Sequence, residues 1–446
     1  MTDSKSHYDK MTKTPLAKLI ISLGIPTTIS MLVTNIYNMV DTYFVGTLGE
    51  SPQAATGILF TLQAIIQAFA FMLGQGSGTM VSKALADRNE EEASEYVSTA
   101  FFTGVGLGLL LMIGGLLFLN PFMRLLGSTE TILPYARQYG ICVLASCPVA
   151  IGSFVLNNNL RYEGKAFYAM IGLVTGGLLN IFGDYILISI FRLGVLGAGI
   201  STAVSQVISF LILLYFFGKM AQSSIKLSAF SKKAAVFLTI ARVGFPALIR
   251  QGLSSVSNGL LNNLTRPYGD AAIAAMSVVN RFSAFVMCVG LGIGQGYQPV
   301  ASFNYQAKEY GRVKKGLLIT MGVGFLFVAC LAIPGLVFSR QIVYLFQKSE
   351  EVIMIGSFAL RCACVGILFL PLSVPVNMLF QSIRKPAMSS FLSLLRSGLM
   401  FIPTLLITTR FWGIAGIQVS QPLADILTGL VSLPFVVIFL RKQEFE

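Results

Sequence analysis

The chain has 446 residues, of which 54% are hydrophobic and only 11% charged, with a formal charge of +13 and a mean hydropathy of +0.75. That balance excludes a soluble globular protein, whose surface needs far more polar residues, and points to an all-α polytopic membrane protein. The excess of Lys and Arg would suit a nucleic-acid binder, but the positions of those charges exclude that class.

A helix needs about 20 apolar residues to cross the roughly 30 Å hydrocarbon core. Apolar runs of that kind exclude a barrel, whose strands alternate over about 10 residues. The start is polar and basic, and no cleavable signal peptide is expected, because the first apolar run is too long. That run predicts span one at 16–46. Pro26 lies in its middle, removing a backbone hydrogen bond and crowding the preceding turn, which predicts a kink and a candidate hinge. Asp41 follows about 22 Å further along the helix, in its outer half, with Tyr37 and Asn38 on neighbouring positions.

Spans two and three are predicted at 54–81 and 94–119, joined by an acidic loop (Asp87, Glu90, Glu91, Glu92, Glu95) read as a solvated cytoplasmic turn. Gly74-Gln75-Gly76-Ser77-Gly78 resembles a phosphate loop only in its glycines: it lacks the Lys-Ser/Thr and lies within an apolar span. Span four, 131–156, carries Arg137, the one arginine expected inside the membrane in the first half. Span five, 166–190, carries Asn180 and Asp184 one turn apart on the same face. Span six covers 195–218.

Residues 219–235, with Ser223, Ser224, Ser228, Ser231 and four lysines, read as a cytoplasmic linker between an N-lobe (1–218, helices one to six) and a C-lobe (236–446, helices seven to twelve). The second set of spans is predicted at 236–265, 271–300, 313–337, 352–378, 387–409 and 413–440. It contains Arg250, Arg281, Arg361 and Arg396, one of which is expected to neutralise Asp425. Arg250, Asn258, Asn280, Arg281 and Asp425 are the candidate lining of a substrate cavity.

The two halves repeat. Gly24 and Pro26 return as Gly244 and Pro246, Gly74-Gln75-Gly76 as Gly294-Gln295-Gly296, Asn38 as Asn258 and Lys165 as Lys385, all 220 positions later. Asp41 does not return: its counterpart is Leu261. Twelve spans leave both halves in one orientation, related by an axis along the membrane normal, as in many carriers. With both termini in the cytoplasm, most Lys and Arg, from Lys5 through Lys83, Arg161, Lys232, Lys233, Lys314 and Arg384 to Lys442, fall inside. Outside fall only Arg124, Arg192, Arg266, Arg340, Lys348 and Arg410. That is the positive-inside bias. The six cysteines all fall within spans and read as small buried apolar residues; the single histidine, His7, lies in the N-terminal tail.

Only Asp41, Asp184 and Asp425 among the acids fall well inside spans, where an unpaired carboxylate costs several kcal/mol and marks function by default. Asp41 and Asp184 reach similar depth and can meet if helices one and five are neighbours. Such a pair can share a proton, or supply oxygen ligands to a small cation such as Na⁺.

Three stretches then carry a family resemblance: Asp41-Thr42-Tyr43-Phe44-Val45-Gly46, Gly194-Val195-Leu196-Gly197-Ala198-Gly199-Ile200, and Gly292-Ile293-Gly294-Gln295-Gly296-Tyr297-Gln298-Pro299. In this order and spacing the chain resembles the multidrug and toxic compound extrusion (MATE) transporters over essentially its whole length. The resemblance implies two pseudo-symmetric six-helix bundles forming a V, exporting organic, often cationic, amphipathic compounds in exchange for Na⁺ or H⁺. It implies a prokaryotic cytoplasmic-membrane protein, working as a monomer, with no cofactor besides the coupling ion. The family's N-lobe cation site maps onto Asp41, Asn180, Asp184 and Thr202, with Ala198 offering a carbonyl, and its bending proline onto Pro26. The acids that a second branch carries on helices seven and ten are missing from those spans. The rival readings are a lipid-linked sugar flippase, which would want a cationic cavity and fourteen spans, and a membrane-embedded lipid-modifying enzyme, which would want a nucleophile or metal cluster near the interface.

Overall fold

A computed structural model of the chain describes residues 2–441. Met1 and residues 442–446, with Lys442 of the charge pattern, lie outside the described residues, as does the side chain of Lys5. All the regular elements among the described residues are helical. A short α1 (Thr2–Lys13) precedes the membrane helices α2 (Leu16–Gly46), α3 (Glu50–Ala86) and α4 (Glu90–Leu117). After a short α5 (Leu119–Leu125) come α6 (Leu133–Tyr162), α7 (Ala166–Asp184), continued by a π-helical stretch Tyr185–Ile190, and α8 (Gly194–Met220). The second series runs α9 (Ala234–Thr265), α10 (Asp270–Gln306), α11 (Tyr310–Val337), short α12 (Ser339–Phe346), α13 (Glu350–Ile367) and α14 (Leu370–Ser382). It closes with α15 (Pro386–Leu394), a π-helical stretch Leu395–Met400, α16 (Phe401–Trp412) and α17 (Ile414–Arg441).

Eleven helices among the described residues are long and apolar enough to span a membrane, and twelve if a bent pair counts as one. The pair is α13 and α14, bent by 47°. The span expected at 352–378 is therefore broken rather than straight: the missing N–H and fixed ring of Pro371 suit the first turn of a new helix, so α13 stops and α14 starts beside it. The helix α1 was not anticipated in the polar N-terminal tail. Its carbonyl end is held by side chains of the second half, with Asn304 Nδ2 donating to the Met11 carbonyl (3.1 Å) and Arg312 Nη2 to that of Thr14 (2.7 Å).

The repeat is written into the hydrogen bonds. Asn157 Nδ2 donates to the Ala169 carbonyl (3.0 Å), and 220 positions later Asn377 Nδ2 donates to that of Ser389 (2.7 Å). The second helix of each half ends in the same left-handed turn, with Asn89 N–H closing on Ala84 and Glu309 N–H on Asn304, both at 2.9 Å. Asn89 then caps α4: its Oδ1 accepts from Glu92 N–H at 3.0 Å, and Glu90, Glu91 and Glu92 crowd the first turn, where the helix dipole favours negative charge.

Two compact units divide the chain, and they do so inside helices rather than at the 219–235 linker. Unit 1 holds Ile29–Leu248 and the residues before Asp9, and unit 2 holds Asp9–Thr28 and Ile249 onward. Both dividing points fall two residues beyond a proline within a helix, Pro26 in α2 and Pro246 in α9. Glycines make the close approaches within each unit. In unit 1, a Cβ on Gly76 would collide with the Ile240 carbonyl, and one on Gly244 with the Met72 carbonyl. In unit 2, a Cβ on Gly296 would lie 2.5 Å from Gly24 Cα. The glycine run that mimics a phosphate loop is therefore a packing surface that lets backbones touch.

The linker is ordered against unit 1. Glu163, just past the end of α6 and fully buried, accepts from the Gln222 N–H (2.5 Å), the Ser223 N–H (3.4 Å) and the Ser223 hydroxyl. Further along, Ser224 N–H donates to Ser94 Oγ (2.9 Å) and Ser231 N–H to Thr99 Oγ1 (3.0 Å).

Candidate functional site

In unit 1 the C-terminal half of α2 brings Asp41 to Asp184 at the end of α7 and to Thr202 on α8. Asp41 is 2% exposed and Asp184 not at all. The two carboxylates lie within range of each other's charge. Tyr139, on α6, donates its hydroxyl proton to Asp41 Oδ2 at 2.6 Å and lies 3.3 Å from Thr202 Oγ1. Asn180 Nδ2 donates to Thr202 Oγ1 at 3.2 Å, and its backbone carbonyl accepts from Ser201 at 2.9 Å. Ala198 is fully buried on α8, one turn before Thr202.

Among the described residues, four oxygens of this cluster accept no hydrogen bond: Asp41 Oδ1, both of Asp184, and Asn180 Oδ1. All are acceptors, so a further buried acceptor could not satisfy them, whereas a cation or a shared proton could. Among the described residues no three His, Cys, Asp or Glu side chains gather as a metal-binding group. The ligands here are mixed hard oxygens, which suit Na⁺ or H⁺ and not a soft metal.

Beside the cluster a cavity opens, lined by Tyr37, Asn180 and Thr202 together with Thr34, Ser153 and Gln206. No ionised side chain lines it. Tyr37 packs across Gly177, where a Cβ would lie 3.1 Å from the tyrosine ring. Asn38 departs from expectation: it is half-buried and makes no side-chain hydrogen bond to the cluster, its carbonyl instead accepting from the Thr42 hydroxyl at 2.8 Å. Arg137 is exposed and plays no part in neutralising either acid.

Unit 2 has a corresponding cavity. Arg250 lines it, donating from Nη1 to Asn377 Oδ1 at 3.0 Å. Arg396 lines it as well, and its Nε donates to Asp425 Oδ1 at 2.8 Å, so the expected arginine partner of Asp425 is Arg396. Gln421 Nε2 donates to the same oxygen at 2.9 Å. Of the five candidate lining residues only Arg250 lines this cavity: Asp425 is buried against Arg396 and does not reach the wall, and the other three are elsewhere. Asn258 continues the stripe of Arg250 and Ser254, but eight residues of helix, about 12 Å, carry it past the cavity, and it is exposed. Arg281 is exposed and Asn280 half-buried, and neither lines the cavity.

Tyr139 and Ser201 were missed in the sequence. A signal for Tyr139 existed: its counterpart 220 positions later is Ala359, the same loss that marks Asp41. Both π-helical stretches adjoin a chemistry-bearing residue, the first following Asp184 directly and the second containing Arg396. Such local widenings of a helix recur at functional sites.

The family model for MatE matches residues 26–186 and again 246–406, two segments 220 positions apart. The chain is 27% identical over 448 residues to the multidrug export protein MepA of Staphylococcus aureus strain MSSA476, covering 99% of this chain and 98% of that protein. It is 26% identical, with the same coverage, to the protein of that name from Staphylococcus saprophyticus. A solved structure described as the outward-facing conformation of a multidrug resistance MATE family transporter of the MOP superfamily superposes with a TM-score of 0.91 at 24% identity, covering 97% of this chain and 98% of that one. A MATE crystal structure in the bent conformation superposes with a TM-score of 0.89 at 24% identity, covering 98% and 99%. At that identity the structural likeness speaks to the fold.

Proposed function

The chain belongs to the MatE family, and from that premise we propose that it is a secondary active multidrug exporter, antiporting organic compounds against Na⁺ or H⁺ by alternating access. The observation that carries the coupling half of this reading is the cluster of four undonated acceptor oxygens on Asp41, Asp184 and Asn180. The export half rests on the full-length likeness to proteins named as multidrug exporters.

Entry of a cation or proton from outside neutralises Asp41 and Asp184, and the residues that hold it are Asp41, Asn180, Asp184 and Thr202. Tyr139 keeps Asp41 Oδ2 in place, leaving Oδ1 for the ion. Neutralisation favours a different setting of α2 about Pro26, and the division of α2 between the two units just past that proline supports a hinge there. Binding of the ion shifts the protein between states only by its differential affinity for them, so ion and exported compound must favour opposite states. The neutral cavity beside the cluster, with Tyr37 and Phe154 in its wall, suits an organic compound with an apolar body.

The Lys and Arg bias supports a multi-pass protein of the cytoplasmic membrane with both termini inside. One chain holds both repeats, which supports function as a monomer and as a carrier rather than an enzyme. A span count of eleven to twelve weighs against the flippase reading, which wants fourteen.

The test is drug resistance in cells lacking their own exporters. Wild type confers resistance and Asp41→Asn does not, at equal expression in the membrane. Wild-type resistance from Asp41→Asn would remove Asp41 from the coupling role.

A further inference from the structure

We propose that the cavity of unit 2 is a binding site for an oxyanion, a carboxylate or phosphate borne by an amphipathic molecule. This goes beyond the coupling site, which belongs to unit 1.

The two cavities are duplicates. Thr34, Ser153 and Gly177 line the first, and their counterparts 220 positions later, Ser254, Ser373 and Ser397, line the second. Against that shared frame two positions change from small and neutral to guanidinium: Ser30 becomes Arg250 and Gly176 becomes Arg396. The wall of the second cavity therefore holds two cations and no carboxylate.

The hydrogen bonds of Arg396 leave capacity for a ligand. A guanidinium has five N–H groups. Arg396 spends one, from Nε, on Asp425, and another, from Nη1, on the thioether of Met287 at 3.2 Å. A thioether sulfur is a weak acceptor for a charged donor. Among the described residues its Nη2 donates no hydrogen bond, and its side chain is 18% exposed. A carboxylate that served only to neutralise Arg396 would be expected to take two nitrogens in a fork; Asp425 takes Nε alone and leaves Nη2 without an acceptor. Arg250 is held in place from behind. Its acceptor, Asn377 Oδ1, is oriented because Asn377 Nδ2 donates to the Ser389 carbonyl (2.7 Å) and to Ser393 Oγ (2.8 Å). Charge-assisted donors fixed in advance at a cavity wall are what recognises a carboxylate or phosphate.

The remainder of the wall selects the rest of the molecule. Met287, Leu291, Val374 and Met378 make an apolar surface, so the ligand has one oxyanion end and an apolar body. The same chemistry is carried by an acidic exported compound and by the headgroup of an anionic lipid, and the experiment separates these.

The full chain is placed in nanodiscs of phosphatidylcholine and titrated with a fluorescent acid, 11-(dansylamino)undecanoic acid, and with its methyl ester. The acid binds, and the ester binds about tenfold more weakly or less, the loss expected for a charge-assisted hydrogen bond. Arg250→Gln lowers affinity for the acid by about tenfold and leaves the ester unchanged. The paired variant Arg396→Gln, Asp425→Asn does the same without stranding a buried carboxylate. Replacing part of the phosphatidylcholine with phosphatidylglycerol identifies the source: loss of the bound acid assigns the site to a lipid phosphate, and its retention assigns it to a free amphiphile. Equal affinity for acid and ester in the wild type, or an acid affinity untouched in both variants while they elute as monodisperse protein, overturns the proposal. Since binding is read without transport, its failure leaves the coupling at Asp41 standing, and the reverse also holds.

Discussion

At the scale of single residues, the site is a matter of which oxygens lack donors. Asp41 and Asp184 stood out in the sequence because a carboxylate within an apolar span is costly, and Asn180 because it shares a helix face with Asp184. Tyr139 did not stand out, since a tyrosine in a span is ordinary until its partner is known, and its partner Asp41 lies on another helix. Replacing it, Tyr139→Phe, leaves Asp41 without any donor from the protein and removes a hydrogen bond to a charged group, worth about 1.5–3 kcal/mol. The ionised carboxylate loses the donor that stabilised it, so export should persist and need about tenfold less driving cation or proton at half-maximal rate; an unchanged requirement would make Tyr139 packing only. Asp184→Asn removes a buried charge with two unsatisfied oxygens, and should raise thermal stability by roughly 1–3 kcal/mol at pH 8 without Na⁺. A thermal melt checks this, and a lower midpoint would contradict it. Glu163, in the loop beyond α6, offers a pH test. Burial pushes its carboxyl up to about 7 from 4.5, against the opposing pull of its Ser223 and Gln222 donors and of Lys165. A raised folded-state value means that the folded protein holds the proton more tightly than the unfolded chain. Its contribution to stability is therefore present below about 4.5 and is lost as pH rises to about 7. Melts from pH 4.5 to 8 should show wild type losing stability across that window relative to Glu163→Gln; parallel profiles would sink this assignment.

At the scale of elements, the apolar runs and their charged joints were legible because lipid imposes one answer, a helix of sufficient length. The break between α13 and α14 was less so. Proline within an apolar run signals a kink or a stop with the same letters, and only packing distinguishes Pro371, which opens a helix, from Pro148, which continues one. The duplicated glycines were legible as a repeat but not as contacts: that Gly76 meets Ile240 and Gly244 meets Met72 depends on which helices touch. Alanine at either position drives a Cβ into a backbone carbonyl, which should cost about 1–3 kcal/mol or force the helices apart. Gly57 and Gly106 have open space at the same point, so alanine there should be neutral or slightly stabilising through helix propensity. Thermal melts of the four variants give the comparison, and equal effects would mean that Gly76 and Gly244 are not at a close crossing. Pro26→Ala restores a backbone N–H in α2 at the point where the helix leaves one unit for the other. Folding should be intact and the rate of export reduced.

At the scale of the whole molecule, a repeated scaffold carries unequal chemistry. The 220-residue repeat was legible from Gly24, Pro26 and Lys165 and their returns, and so was the absence of Asp41 from the second half. Less legible was that the second half has a difference of its own. Arg396 stands where the first half has Gly176, and the sequence alone cannot say that both face a cavity. The limits of the repeat in sequence are also not the limits of the compact units, because each takes in part of the other half's first helix. On the proposed reading the coupling charge, Asp41, sits in one unit, so removing that charge should separate transport from folding. The direct measurement is efflux of a fluorescent cationic dye from proteoliposomes of the purified chain, with Na⁺ and pH gradients imposed separately. Wild type should move dye under at least one gradient, and Asp41→Asn, equally folded and incorporated, under neither. Gradient-driven efflux by Asp41→Asn at the wild-type rate would contradict the account.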